Sequence, residues 1–225
     1  NAAVVVHEDA DLDRAVQRIV LGGYGYAGQV CIAVQRVFAH EAIYDSFRAR
    51  LTEATRNCPY GDPMKPKTVC GPLIDQAAAE RVESWVQEAV RDGARVLAGG
   101  ESRKGGSNLM APMLLDQVKP SMKVCREEIF GPVVTLEPYK DWSDALRRVN
   151  DSPFGLQAGV FTRDTHRIYQ AFCELEVGGV IVNDFPTMRV DNFPYGGVKN
   201  SGFGREGVRY AMEEMTEPRV LFARH

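Results

Sequence analysis

One cysteine lies in a setting that suits a nucleophile. Cys31 ends the run GYGYAGQVC at 23–31, in which three glycines relax the backbone between a helical pattern and the next strand. A thiol on such a loop is open to substrate, and neighbouring main-chain N–H groups can hold a thiolate or an oxyanion. For an arbitrary cysteine, burial as a small hydrophobic residue is the commoner role. The run taken alone therefore leaves both interpretations open.

A second candidate segment, REEIFGP, occupies positions 126–132 just before an apolar strand pattern. A carboxylate such as that of Glu128 suits the two hydroxyls of a sugar, because it offers only acceptors. The aromatic ring of Phe130 suits the face of a flat heterocycle. An ordinary surface charge pair ahead of a strand is the alternative interpretation.

A third segment, FPYGGVKNSGFGRE, fills positions 193–206. It is not a dinucleotide-binding fingerprint, because no βαβ unit with a suitably spaced acidic residue follows it. By itself it reads equally well as a glycine-rich loop that leads into a capped helix.

Composition excludes several partners. The 27 basic and 30 acidic residues give a formal net charge of −3, which argues against a nucleic-acid or anionic-membrane surface. No apolar run approaches the ~20 residues that span a bilayer. The five cysteines contain no CxxC pair, which favours free thiols in a reducing, cytoplasmic setting. The four histidines are widely scattered, so we expect no metal site.

The elements that must position these segments alternate along the chain. Strand-like runs are separated by helical patterns of 10–16 residues, which predicts a three-layer αβα domain around a mostly parallel sheet. Helices are expected near 9–22, 41–56, 77–91, 142–149, 164–175 and 205–215, and strands near 4–6, 36–39, 95–98, 133–136, 158–161, 180–183 and 219–223. Two long Gly- and Pro-rich loops cover 99–106 and 184–204. The second follows the carboxyl end of a strand, where ligands usually bind in such sheets.

The three segments, in this order, resemble the aldehyde dehydrogenase superfamily. The carrying motifs are GQVC at 28–31, EEIFGP at 127–132 and YGGVKNSGFGRE at 195–206. Positions 1–13, GPLI at 71–74 and NDSPFGL at 150–156 agree with the flanking stretches of that family. The likeness extends over essentially the whole chain.

The resemblance implies a role for each motif. Cys31 would be the nucleophile that adds to an aldehyde, giving a thiohemiacetal and then a thioester that water hydrolyses. NAD or NADP would take the hydride. Glu128 would bind the nicotinamide-ribose hydroxyls, and Phe130 would lie against the nicotinamide. Arg189 and Tyr195 fall at positions that line the substrate tunnel of the family.

The resemblance also implies an incomplete active site. Residues 1–225 correspond to the catalytic domain, in the C-terminal half of family members. The general-base Glu, the oxyanion-hole Asn and the cofactor-binding domain would lie before Asn1. We therefore expect this chain alone to lack turnover. The parent would be a homodimer or homotetramer, with residues 219–225 contributing a packing or oligomerisation strand.

The substrate is less defined than the reaction. The stretch RVDNFPYGG at 189–197 most resembles the branch with lactaldehyde, phosphonoacetaldehyde and non-phosphorylating glyceraldehyde-3-phosphate dehydrogenases. Arg189 would suit an anionic group on a small aldehyde, because guanidinium binds such groups bidentately. Val30 argues against a phosphorylated substrate, because the glyceraldehyde-3-phosphate enzymes tend to carry Arg at this position. The alternative role of Arg189 is an ordinary surface or structural ion pair. Two rival functions stay open: a non-catalytic binding or assembly relative, and CoA-acylating or thioester-hydrolase use of Cys31.

Overall fold

The computed structural model describes residues 1–100 and 107–225, so most of the loop expected at 99–106 lies outside the described residues. A seven-stranded sheet has the order β3-β4-β5-β2-β1-β7-β8 and is parallel except for the β3–β4 pair. Its strands are β1 (Ala2–Val6), β2 (Val34–His40), β3 (Arg95–Ala98), β4 (Met113–Asp116), β5 (Val133–Tyr139), β7 (Gln157–Phe161) and β8 (Gly179–Val182). A separate antiparallel pair joins β6 (Phe154–Gly155) to β9 (Val198–Lys199).

The described ranges contain seven α-helices. They are α1 (Leu12–Tyr24), α2 (Tyr44–Arg56), α3 (Gln76–Arg91), α4 (Lys123–Arg126), α5 (Trp142–Asn150), α6 (Thr165–Glu174) and α7 (Val208–Glu214). Four of them begin after an aspartate whose side chain accepts a hydrogen bond from a main-chain N–H of the first turn: Asp11, Asp75, Asp141 and Asp164. Such caps satisfy donors that have no partner within the helix, and each stabilises its helix by about 1 kcal/mol.

The sheet separates two hydrophobic cores. Along β1, Val4 and Val6 pack into one core while Ala3 and Val5 pack into the other, because successive side chains of a strand point to opposite faces. The first core contains the apolar faces of α1, α2 and α3. The second contains those of α5 and α6. The three-layer αβα arrangement is thus confirmed.

Several expected boundaries differ. The helix expected from position 41 begins at Tyr44, because 41–43 form a turn, and the last helix shortens to Val208–Glu214. The sequence patterns missed the short strands β4, β6 and β9. Residues 219–223, where a strand is expected, are exposed and form neither helix nor strand in this chain, and a packing strand in the assembly stays a prediction. An apolar run becomes a strand only when a neighbouring edge accepts its hydrogen bonds.

Candidate active site

The candidate residues gather at the amino ends of the strands. Cys31 precedes β2, Glu128 precedes β5, and Asn1 precedes β1. The glycine-rich loop leaves the carboxyl end of β8 but returns, since Val198 pairs with Gly155 just ahead of β7. The expectation that the site lies beyond the carboxyl ends of the strands is therefore wrong, because this loop carries its residues back to the opposite edge.

The backbone ahead of Cys31 makes an unusual left-handed turn. Tyr26, Ala27 and Gly28 have φ values of 56°, 57° and 70° in succession. Only glycine adopts this region without cost, so the turn is held by tertiary contacts. A Cβ at Gly28 would lie 2.2 Å from the carbonyl oxygen of Gly131, which shows how closely the two loops approach. The turn ends with Cys31 exposed at the site.

Tyr195 contacts the sulfur of Cys31. The Tyr195 hydroxyl lies 3.4 Å from Cys31 Sγ. Burial, followed by the contact with Cys31, raises the pKa of Tyr195 above its ordinary value. The phenol therefore stays protonated at neutral pH and has a proton to donate to the sulfur. Its backbone is fixed as well, because Tyr195 and Glu206 exchange two main-chain hydrogen bonds of 3.1 and 2.6 Å.

Glu128 shares a cavity with Cys31. This cavity has a volume of about 200 Å³. It is lined by Asn1, Ala2, Cys31, Glu128, Phe154, Leu156, Gln157, Asn200 and Ser201. Ser201 also ties the loop to the sheet edge, because its Oγ accepts a hydrogen bond of 2.9 Å from Gly155 N. A thiol and an exposed carboxylate thus face one space large enough for a few heavy atoms.

Phe130 lies in an adjoining narrow cleft. That cleft is shared with Glu128 and with Gly28 of the left-handed turn. Phe130 has φ of 48° and keeps 38% of its surface exposed, so its ring is open to a ligand. The two cofactor residues predicted from the sequence therefore border neighbouring spaces that meet at Glu128.

Arg189 is joined to the site through Tyr195. Its guanidinium carbon lies 4.8 Å from the centroid of the Tyr195 ring, in a cation–π contact. Arg189 Nη2 also donates a hydrogen bond of 3.0 Å to Glu206 Oε2, and both side chains are at least half exposed. An ion pair of this exposure contributes little stability, about 0–1 kcal/mol. The ordinary ion pair considered from the sequence is present, and only the Tyr195 side chain separates it from the Cys31 sulfur.

The remaining cysteines differ from one another. Cys58, Cys70 and Cys125 are buried, and burial raises their pKa values to about 11, 12 and 12. Cys173 is exposed on α6, so it departs from the burial that is commoner for an arbitrary cysteine. None of the five forms a disulfide.

Some residues that line the site carried no signal in the sequence. Asn1 is the first residue, and nothing in its neighbourhood suggested a role. Asn200 and Ser201 stood inside the glycine-rich motif without an assigned chemistry. Gln35 was missed because a glutamine in a strand looks like ordinary polar alternation, although this one is buried. Only the folded arrangement brings these side chains to the amino edge.

Two absences hold for residues 1–100 and 107–225. No group of three or more His, Cys, Asp or Glu side chains is arranged to hold a metal ion. No helix in these ranges combines the length and the hydropathy that crossing a bilayer requires.

Comparisons with known proteins agree with the order of the motifs. The sequence model of the family described as "Aldehyde dehydrogenase family" matches residues 1–221. Among curated proteins, 3-sulfolactaldehyde dehydrogenase of Priestia aryabhattai is 49% identical over 221 residues, covering 98% of this chain and 46% of that protein. The chain thus spans about half the length of the curated relatives it matches.

Solved structures match as closely. Aldehyde dehydrogenase 21 from Physcomitrella patens, in complex with the reaction product succinate, superposes with a TM-score of 0.91 at 42% identity, over 96% of this chain and 45% of that one. The glyceraldehyde-3-phosphate dehydrogenase GapN from Methanocaldococcus jannaschii, complexed with NADP, gives 0.89 at 38% identity, over 95% and 46%. The match to GapN confirms the branch indicated by positions 189–197.

Proposed function

The chain belongs to the aldehyde dehydrogenase family, and from this premise we propose that Cys31 is the nucleophile of an NAD(P)-dependent aldehyde oxidation. The observation that carries the proposal is the shared cavity of Cys31 and Glu128, with the Tyr195 hydroxyl 3.4 Å from the sulfur. A thiol and a carboxylate suited to a diol thereby line one cavity, and the Tyr195 hydroxyl lies within hydrogen-bonding distance of the thiol.

In the proposed reaction, the Cys31 thiolate adds to the carbonyl carbon of the aldehyde and forms a C–S bond. The main-chain N–H of Cys31 stabilises the resulting oxyanion. Loss of hydride from this carbon gives the thioester, and a bound NAD or NADP would supply the hydride acceptor. Water then attacks the thioester, releasing a carboxylic acid and restoring the thiol.

The residues present fit the cofactor. Glu128 is exposed and forms no hydrogen bond with the described residues, so its oxygens are open to two ribose hydroxyls. Phe130 presents an open ring beside it, suited to stacking against the nicotinamide. We propose that this chain does not contain the whole active site of the full-length protein. The missing groups would be the general base, a second oxyanion donor and most of the residues that bind the cofactor.

We propose further that the substrate is a small aldehyde carrying a negative charge. The fold does not select a charge, so the proposal rests on the side chains of the site. Arg189 stands over the ring whose hydroxyl contacts Cys31, and its partner Glu206 is an exposed carboxylate. An anionic substrate can compete for this guanidinium because an exposed ion pair is weak.

The test compares two aldehydes of equal size in the full-length enzyme, one anionic and one neutral. Arg189→Gln should raise KM for the anionic aldehyde about tenfold or more, while KM for the neutral one stays within about twofold. Glu206→Gln is the matched control, because it releases Arg189 and should leave or improve KM for the anion. Equal effects of Arg189→Gln on both aldehydes would dismiss the anionic substrate and leave the oxidation itself untouched.

The same assay separates the rival chemistry. A thiol hydrolase needs a histidine beside its nucleophile. His7 follows β1 and His40 ends β2, so both lie at the opposite edge of the sheet from Cys31. Comparing NAD, NADP and CoA as co-substrates distinguishes hydrolytic oxidation from CoA acylation. A non-catalytic relative would reduce neither dinucleotide.

We also propose a cytoplasmic homodimer or homotetramer. The free thiols suit a reducing compartment, and residues 219–225 expose apolar side chains such as Val220, Leu221 and Phe222. Analytical ultracentrifugation of the full-length protein with Leu221→Asp should show partial dissociation. An unchanged sedimentation coefficient would remove this segment from the interface.

A further inference from the structure

A buried amide holds the segment that carries Glu128 and Phe130. Gln35 lies in β2 with 3% of its surface exposed. Its Nε2 donates hydrogen bonds to the carbonyl oxygens of Val124, at 2.9 Å, and Glu127, at 2.8 Å. Its Oε1 accepts a hydrogen bond of 3.2 Å from the main-chain N–H of Ile129. Both amide hydrogens and the amide oxygen are therefore engaged by one short segment.

The geometry of that segment needs such support. After the single turn of α4, the chain turns sharply outward, with Ile129 buried and Phe130 in the left-handed region at φ 48°. A bulky residue in this region is strained unless its surroundings hold it there. The bonds of Gln35 fall on the two residues that flank Glu128, namely Glu127 and Ile129, so they fix the direction in which the Glu128 carboxylate leaves the backbone.

A second side chain reinforces the same carbonyl. Asn1 Nδ2 donates to Glu127 O at 3.2 Å and to Cys125 O at 2.8 Å. Asn1 is held in turn by Arg36 Nε, which donates to its Oδ1 at 2.9 Å. The segment is thus tied to β2 through two neighbouring residues, Gln35 directly and Arg36 by way of Asn1.

Gln35 lies in β2, and Cys31 stands four residues before it, in the turn that leads into this strand. We infer that Gln35 is a positioning residue that sets the distance between the nucleophile and the cofactor carboxylate of Glu128. The inference rests on the proposed cofactor role of Glu128. It adds a residue that touches neither the substrate nor the cofactor and that acts through the backbone on both sides of Glu128.

The test uses the full-length protein and two variants. Gln35→Met keeps the length of the side chain and removes all three hydrogen bonds, and Gln35→Asn keeps the amide but is too short to reach all three atoms. Thr55→Val is the matched control, because it removes a buried polar group that bonds to Tyr24 Oη and Leu51 O, away from the site. The readouts are the Kd for NAD and NADP, by fluorescence titration, and the rate of Cys31 alkylation by iodoacetamide.

We expect Gln35→Met to raise the dinucleotide Kd about tenfold, because two or three hydrogen bonds that hold the main chain around Glu128 are lost. The alkylation rate of Cys31 should stay within about twofold of the parent. A Kd that changes no more than in Thr55→Val would overturn the inference. So would a Kd and an alkylation rate that change by the same factor, because general loosening produces that result. If Gln35→Met does not fold, Gln35→Asn carries the same comparison.

Glu128→Gln distinguishes this inference from the proposed function. If that variant leaves the dinucleotide Kd unchanged, the cofactor role of Glu128 fails. If Glu128→Gln weakens binding while Gln35→Met does not, the cofactor role stands and only the positioning role of Gln35 fails.

Discussion

Replacing Gly28 by alanine tests whether the two loops of the candidate site must touch. Gly28 has φ of 70°, and a Cβ there would lie 2.2 Å from Gly131 O and 2.7 Å from Gly131 C. Both of these atoms belong to the backbone, so neither can rotate away. The loop that carries Cys31 and the loop that carries Phe130 would have to separate by roughly 1 Å, a displacement that can cost about 10²-fold in rate when it misaligns reacting groups.

The same change has a cost in stability. Alanine in the left-handed region costs about 1–2 kcal/mol. Overpacking against a fixed backbone adds about 1–3 kcal/mol. We therefore expect the free energy of unfolding of the 225-residue chain to fall by about 2–5 kcal/mol in urea titration. In the full-length enzyme, kcat/KM should fall by about 10²-fold under conditions in which the variant is folded.

Two other glycines separate strain from steric clash. Gly93, after α3, has φ of 107° and nothing within 4 Å of its Cβ position, so Gly93→Ala reports the backbone cost alone. Gly25 has φ of −55° and equally open space, so Gly25→Ala should cost little. The reasoning fails if Gly28→Ala is no more destabilised than Gly93→Ala, or if its kcat/KM matches that of Gly25→Ala.

Three further outcomes are expected. Tyr195→Phe should slow iodoacetamide alkylation of Cys31 about two- to tenfold at fixed pH, because it removes a donor to the sulfur and keeps the ring; an unchanged rate would show that the 3.4 Å contact contributes nothing. Tyr24→Phe should lower the free energy of unfolding by about 1–3 kcal/mol in urea titration, since the buried hydroxyl bonds to Met113 O at 3.1 Å; a smaller loss than in Gly25→Ala would contradict this. Burial, followed by nearby positive charges, lowers the pKa of His7 below 6.5. The His7 imidazole therefore binds a proton more readily in the unfolded chain, and the free energy of unfolding should fall as the pH drops below about 6.5. His7→Asn should flatten that slope in urea titrations across this range.

Local patterns predicted the layers of the fold because each element carries its own periodicity. The apolar run at 4–6 predicts a strand that is covered on both faces, and Val4 and Val5 do lie in different cores. The Asp141 cap at the start of α5 is a local feature of this kind, because an N-cap depends on neighbouring main-chain atoms only. The apolar run at 219–223 forms no strand in this chain. A strand needs hydrogen bonds from a partner edge, and the residues of the run do not specify that edge.

The candidate site divides in the same way. The identity of Cys31 and Glu128 came from motifs, whereas their common cavity depends on how β2 and β5 pair, which no local pattern specifies. The ion pair between Arg189 and Glu206 joins residues 17 positions apart across a loop. The sequence therefore left two roles open for Arg189, an ordinary ion pair and the binding of an anionic substrate. Gln35 carries no local signal at all, because its three partners lie 89 to 94 residues away along the chain.

If Cys31 is the nucleophile, its sulfur forms a covalent bond to the oxidised substrate during turnover. Acid quenching of the full-length enzyme during turnover, followed by peptide mass spectrometry, measures this directly. We predict the mass of an acyl group on the Cys31 peptide only when both aldehyde and NAD or NADP are present, and none on the exposed Cys173. Turnover that proceeds without an adduct on Cys31, and that persists in Cys31→Ser, would contradict the account.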